Sequence, residues 1–409
     1  MPTKSESEYA MKQGVTIIVP TYNGGDLFLQ MLEMIGRPAY EGPIQLVVVD
    51  SGSSDSTVET AEKWGARIRK IQKKDFHHAR TRNNALSLAD FEQVVFMVQD
   101  AVPVSTRWLR ELTTALDASG AVAVYTDQIP HGNATPYARL ETESTSRARG
   151  GRPALQHLDS LESFQEMPYH EAYRRINLDN VCALYRKQLL SHFPFPEVAF
   201  AEDMAWALQM LIDGHRILYQ PAVKVRHSHN RSASYGFRRQ VINSVWCARI
   251  MKRVERDLSF LSAGELLALS DQVDKRVARL REDVDAVENE MDRSKKGSSR
   301  EKIHDIIRGS SFVNRMRCMK YHRLTLKKTH ENTRFEMTAR TVQDQISHSL
   351  VAIEKRYPPT DQAEWAVALD QIAANVVGRI FGETYASHMV RGKVPPQIHR
   401  FMHPFMQGV

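Results

Sequence analysis

Short runs of apolar, often β-branched residues recur through the first half of this chain: Val15–Val19, Leu46–Val49, Gln93–Val98, Ala121–Tyr125 and Val181–Tyr185, with the more polar Ala66–Ile71 between the second and third. Runs this short and continuous predict strands buried on both faces. Helix-like stretches separate them. Asp55–Trp64 opens on an acid placed to cap it, Ala79–Ala89 follows, Ser105 caps a helix through Ala118, and another runs from about Glu202 to Asp213. Two further strands, Arg216–Tyr219 and Val223–His227, close the pattern. Strands alternating with helices predict an α/β, doubly wound, Rossmann-like sheet. Ligands of such sheets bind outside the carboxyl ends of the strands, which is where Pro20–Asn23 and Asp50–Asp55 fall. From Gln128 to Tyr173 the pattern breaks into polar sequence with four prolines, read as a long functional loop.

Beyond Tyr235 the pattern turns helical almost to the end. Val273, Val277, Leu280, Val284, Val287 and Met291 recur at spacings of four and three, a heptad seam expected to join two copies of the chain through residues 266–291. Asp292–Arg300 reads as a polar break, and Pro358-Pro359 opens a last helical region through about Met389. A chain of 409 residues exceeds one compact core. The division expected is a tail over 1–13, an α/β domain over 14–237 and a mostly α-helical C-terminal domain over 238–409.

Composition changes this picture little. No run of about twenty apolar residues predicts a membrane span, and the mixed-charge N-terminus is unlike a secretory signal. Cys182, Cys247 and Cys318 form no close pair, which argues against a disulfide framework or a structural zinc site and fits the cytoplasm. The net charge of +7 favours phosphates or anionic lipids without implying nucleic acid, so no nucleic-acid partner is expected. Arg308–Lys328 concentrates seven basic residues and no acid among apolar ones. It reads equally as a surface for an anionic membrane, with the protein peripheral on the inner face, or as a solvated helix face.

The candidate chemistry lies in the loops. Thr21, Tyr22 and Asn23 after the first strand, with Asp50 and Ser53 after the second, supply hydroxyls, an amide and an acid suited to the polar edge of a nucleotide. The fourth strand runs into Val98-Gln99-Asp100-Ala101, and carboxylate oxygens there suit a hard divalent cation. His78 and Arg82, with Arg80 and Asn83 beside them, sit near a helix N-terminus with donors for phosphate oxygens. Glu202-Asp203 open a later helix, where acids also complement the helix dipole. His227-Ser228-His229 follow the last strand.

VTIIVPTYNGGD and LVVVDSGSSDST together resemble family 2 glycosyltransferases of the GT-A fold, over roughly Gly14 to Phe237. Gln99-Asp100-Ala101, Phe76-His77-His78-Ala79-Arg80-Thr81-Arg82-Asn83 and Gln128-Ile129-Pro130 are similar to a subgroup typified by bacterial rhamnosyltransferases. Ala79 stands where that subgroup has glycine, Asp127 where it has arginine, and Val98 where it has threonine and the wider family the first acid of Asp-x-Asp. The resemblance implies an inverting transferase of bacterial surface polysaccharide synthesis, using a nucleotide-sugar donor such as dTDP-L-rhamnose and a glycan or lipid-linked acceptor. It implies Asp203 as catalytic base with Glu202 in support. Donor contacts are implied from Pro20, Thr21, Tyr22, Asn23, Asp50, Ser53, His78, Arg80, Arg82, Asn83 and Gln99. Asp100, His227 and His229 are the candidate ligands of a divalent cation, Mn2+ if an imidazole takes part and otherwise Mg2+. The two histidines are not expected to share one ion.

Two other readings compete. A sugar nucleotidyltransferase shares the architecture, but PTYNGGD lacks the basic residues its first loop needs. A catalytically weak scaffold assembling through its helical part is kept open by the seam and by the missing first acid.

Overall fold

The computed structural model describes residues 14–37, 39–293 and 332–406, with the backbone alone over 283–293 and 332–333. The tail over 1–13, the polar break from residue 294 onward and the basic stretch Arg308–Lys328 lie outside the described residues. The chain forms two compact units, one of residues 1–132 and 141–228, the other of 133–140 and 229–409.

The first unit is built on β1 (Val15–Thr21), β2 (Ile44–Asp50), β3 (Arg67–Lys70), β4 (Gln93–Met97), β5 (Val102–Pro103), β6 (Ala123–Ile129), β7 (Ala154–Gln156), β8 (Cys182–Arg186) and β9 (Ile217–Arg226). Their order is β3-β2-β1-β4-β8-β6-β9-β5, with β7 also on β9. β1, β2, β3 and β4 are parallel, while β8 runs antiparallel between β4 and β6. This is the mixed, doubly wound sheet expected of the GT-A fold. Its helices are α1 (Gly25–Ile35), α2 (Thr57–Lys63), α3 (His78–Leu86), α4 (Trp108–Ser119), α5 (Pro136–Arg149) from residue 141 on, α6 (Leu161–Glu166), α7 (Tyr169–Ile176), α8 (Lys187–His192) and α9 (Glu202–Ile212). Val15, Ile17 and Val19 pack with Phe28, Leu32, Trp108, Leu112 and Leu116 on one face of the sheet. Phe96, Tyr185, Phe195 and the α9 residue Trp206 form an aromatic cluster, edge-to-face except for the tilted Phe195–Trp206 pair.

Two expectations change. The long loop over 128–173 is largely regular, because Thr135 accepts the Ala138 N–H ahead of Pro136 at the start of α5, and Ser160 with Ser163 forms a capping box for α6. The two closing strands are one strand, β9. Its register on β6 jumps between Gln220 and Lys224, and Pro221, which has no N–H to give the ladder, lies in that bulge.

The second unit holds α10 (Ala233–Met251), α11 (Ala263–Arg293), α12 (Asn332–Arg356), α13 (Gln362–Val390) and α14 (Pro396–Met406). The expected domain boundary at 237/238 therefore falls inside α10. Gly378 and Gly382 let α13 approach α10 closely, since a Cβ at Gly378 would meet the Phe237 carbonyl at 2.4 Å and one at Gly382 the Val241 carbonyl at 2.7 Å. The heptad seam is correspondingly reassigned. Val273, Val277 and Leu280 are buried in one cluster with Val342, Ile346, Leu350 and Ile353 of α12 and Leu369 and Ile372 of α13. Over those positions the apolar stripe is consumed within its own chain and offers no face to a second copy. No described helix is long and apolar enough to cross a membrane.

Leu280→Ala should destabilise the helical unit by about 2–5 kcal/mol, the cost of a buried leucine cavity. Urea unfolding followed by far-ultraviolet circular dichroism reads this, and an unchanged midpoint would contradict the packing.

Candidate active site

The ends of β1 and β2 are laced together because Thr21 and Asp50 are register partners. Asp50 is buried and accepts from every side: the Thr21 hydroxyl at 3.1 Å, the Gly52 and Ser53 N–H groups at 3.0 Å each, and the Ser53 hydroxyl at 2.5 Å. Asn23 adopts a left-handed conformation (φ 47°), its N–H donating to Ser53 Oγ at 2.8 Å and its Oδ1 accepting from the Ser54 N–H at 2.8 Å. Asparagine tolerates that conformation better than most residues. Pro20 lies half-buried in β1, beside Val49. Gln99, beyond β4, spans to the first loop, its Oε1 accepting the Tyr22 N–H at 2.8 Å and its Nε2 donating to the Tyr22 carbonyl at 3.1 Å. Lys73 donates to the Tyr22 hydroxyl at 3.1 Å and so orients an exposed ring. Three loops thus meet at one sheet edge, held by side chains that also carry the expected donor-binding groups.

Asp100 stands in the third of these loops. Its carbonyl is held by His131 Nε2 at 3.0 Å, and its carboxylate lies 3.7 Å from Nε2 of His227, which leaves β9. His229, the first residue of the second unit's long segment, is two positions further along the same chain exit. Potential ligand atoms of Asp100, His227 and His229 all lie within 4.8 Å of one another. The expectation that the two histidines diverge fails, because residues i and i+2 of an extended segment share a face. Ligand atoms roughly 2.1 Å from one cation sit about 3–4 Å apart, so small side-chain adjustments fit this set to a divalent ion. Val98 gives no ligand and is fixed by its N–H to the Val181 carbonyl at 3.0 Å.

Glu202 and Asp203 open α9 behind a strained residue. Ala201 sits at φ 60°, ψ 43°, a left-handed conformation costing a non-glycine residue about 1–2 kcal/mol. Glu202 is buried and paired with Arg82, with Asn180 Nδ2 on the same oxygen at 3.4 Å. Asp203 is half-buried, accepting the Asn180 N–H at 3.1 Å and the Met204 N–H at 2.9 Å. Burial, aided by the negative charges of Glu202 and Asp179, pushes its carboxyl up to about 7, while Arg82 and the Met204 N–H oppose the rise.

The remaining candidates do other work. Arg82 was expected to face phosphate; its guanidinium is instead buried against Glu202. Arg80 pairs with Glu197 at 2.7 Å, and Asn83 clamps the backbone of Phe195 through both amide atoms, at 2.8 and 3.0 Å. Both therefore hold the segment leading to α9. His78 packs edge-on against Phe76 at 5.0 Å, and it is His77 that caps α3. Sequence reasoning missed Asp179 and Asn180, which precede β8 without any motif. It also missed Lys73, one basic residue among several.

Residues 16–190 match the profile described as Glycosyl transferase family 2. The chain is 30% identical over 238 residues to the O-antigen chain rhamnosyltransferase RfbN of Salmonella typhimurium, covering 57% of this chain and 72% of that one. It is 30% identical over 236 residues to the O-antigen chain rhamnosyltransferase WbaN of Salmonella anatum, with the same coverage of 57% and 72%. A solved mannosyltransferase from Pyrobaculum calidifontis, in complex with GDP-Man and Mn2+, is similar at 16% identity over 89% of this chain and 86% of that chain, with a TM-score of 0.44.

Arg82→Met should cost about 3–5 kcal/mol in denaturant unfolding, because it strands the buried Glu202 carboxylate. Adding Glu202→Gln should recover most of that loss. A single mutant as stable as wild type would show that the pair is not buried as described.

Proposed function

The chain belongs to glycosyl transferase family 2, and from that premise we propose that this glycosyltransferase moves a deoxyhexose from a nucleotide-sugar donor such as dTDP-L-rhamnose to a hydroxyl of a glycan or lipid-linked acceptor, inverting the anomeric centre in a single displacement. The observation that carries the chemistry is the grouping of Asp100, His227 and His229 beside the ends of the parallel strands, the crevice where open α/β sheets bind ligands. The choice of donor rests on kinship with proteins named as O-antigen chain rhamnosyltransferases.

In this reading the donor's nucleotide lies along Pro20–Asn23, Asp50 and Ser53, with Gln99 fixing the Tyr22 backbone. Asp100, His227 and His229 hold the divalent cation, which when bound neutralises charge on the departing diphosphate. One carboxylate and two imidazoles favour Mn2+ over Mg2+. Asp203 accepts the acceptor's hydroxyl proton. Its raised pKa suits this role, since a base works best when poised near the working pH. Glu202, committed to Arg82 and Asn180, supports it by charge. Arg80 and Asn83 act through the Phe195 segment that leads to α9.

Measurements of turnover, stability and ligand binding test this. Asp203→Asn should lower kcat about 10²–10⁴-fold with donor binding retained, and wild-type kcat/KM should rise with pH through about 7 as the base loses its proton. Full activity in the folded mutant eliminates Asp203. Stability runs the opposite way. The folded carboxyl keeps its proton up to about 7, whereas an unfolded aspartate releases it near about 3.9. Folding therefore weakens as pH rises between those values, and Asp203→Asn should abolish that part of the slope.

Removing metal with EDTA should stop turnover and Mn2+ should restore it, with Asp100→Ala weakening Mn2+ binding. Turnover indifferent to EDTA would exclude the cation. Among nucleotide sugars, dTDP-L-rhamnose should protect best against thermal unfolding, and equal protection by all would remove the donor assignment.

A further inference from the structure

His227 is reached from behind by a chain of polar side chains that the proposed chemistry does not use. Its Nδ1 lies 2.8 Å from Oε1 of Gln128, and Gln128 Nε2 donates to Oδ2 of Asp179 at 2.8 Å. Asp179 also accepts the Val181 N–H at 3.2 Å and the guanidinium of Arg149. Arg149 is fixed in turn, with Nε donating to Asn177 Oδ1 at 2.9 Å and its guanidinium 5.5 Å from the centre of the Tyr125 ring. The orientation of the Gln128 amide follows from chemistry. Turned over, it would set its oxygen against the Asp179 carboxylate, acceptor against acceptor, and its NH₂ against His227. With the oxygen toward His227, Nδ1 must carry the proton. The other ring nitrogen, Nε2, is the one that faces Asp100, at 3.7 Å.

We propose that Gln128, anchored through Asp179 to Arg149, is a positioning residue that holds His227 as its Nδ1–H tautomer, with Nε2 directed into the Asp100 site as a ligand for a divalent cation. Hydrogen bonds to the far nitrogen of a ligating histidine fix its tautomer and ring plane and raise its basicity. This inference rests on the cation reading above and names the residues behind it. The backbone at this point is secured without the Gln128 side chain. Gln128 is a ladder partner of Val225, and the His227 N–H donates to the Ile129 carbonyl at 2.9 Å. Replacing the amide therefore removes the side-chain bonds and leaves the strand pairing.

The test uses the full chain and two readouts. In metal-free protein, nitrogen-15 spectra of the His227 ring should show the proton on Nδ1. Gln128→Met, of similar length but without the amide, should lose that preference, whereas Gln128→Glu, which keeps an oxygen facing Nδ1, should retain it. Titration with Mn2+ alone, followed by electron paramagnetic resonance, should show affinity about 10–100-fold weaker in Gln128→Met. A wild-type ring protonated on Nε2, or a tautomer that Gln128→Met leaves unchanged, overturns the proposal. Unchanged Mn2+ affinity in Gln128→Met, with wild type binding the ion, also overturns it while leaving the cation site standing. Wild type that binds no Mn2+ overturns the cation reading and this inference with it.

Discussion

The whole site depends on β1 lying between β2 and β4 in parallel register. Val15 to Thr21 pair residue by residue with Ile44 to Asp50 on one side, and Val15 to Ile18 with Gln93 to Phe96 on the other. Parallel pairing brings the carboxyl ends of all three strands to one edge, and chain order reverses direction across the sheet there. A one-residue slip would turn every side chain to the opposite face. It would part Thr21 from Asp50 and bury the wrong residues of the strand. The loops after the strands are then stitched by the very side chains that suit a nucleotide: Asp50 to Ser53, Asn23 to Ser53 and Ser54, and Gln99 to Tyr22. Order at the strand ends comes from these hydrogen bonds.

Burying charge is the second theme. Arg82–Glu202 and Arg149–Asp179 are ion pairs largely withdrawn from water. Such pairs contribute little net stability, but removing one partner is severe. Each pair has a further consequence. Burial, with Glu202 and Asp179 nearby, makes Asp203 hold its proton to an unusually high pH, and Arg82 opposes this. Asp179 also reaches His227 through Gln128. One partly buried carboxylate thus acts on Asp203 through its charge and on the histidine beside Asp100 through Gln128. The left-handed Ala201 marks the same place as strained, and strain of this kind collects where the surrounding structure over-determines a functional group.

The helical unit obeys simpler rules. Its apolar stripes are satisfied by one another, and Gly378 and Gly382 set how closely α13 meets α10. A heptad pattern states only that a stripe must be covered. It does not say whether the covering helix belongs to another chain, and here α12 and α13 of the same chain supply it over Val273, Val277 and Leu280.

The sequence by itself determined the parallel strands, the loops at their ends, the acid pair at the head of α9 and the Asp100 and histidine candidates. Each is local: a run of β-branched residues, a cluster of turn formers, acids at a helix start. Regularity within 128–173 was hidden because α5 is polar with mixed charge and α6 and α7 are short, and the caps at Thr135 and Ser160 make sense only with the neighbouring N–H groups in view. The pairings between remote positions were decided by tertiary structure alone. Arg82 looked like a phosphate ligand until the fold set it against Glu202, a residue distant in the chain. Asp179 and Asn180 carry no signal, and the motif that holds Gln128 does not say what it contacts, because a hydrogen bond or a buried charge pair depends on which side chains share a small volume from which water is excluded. Sequence spacing records periodicity along one element. Only the packed sheet decides which elements bring their polar groups together.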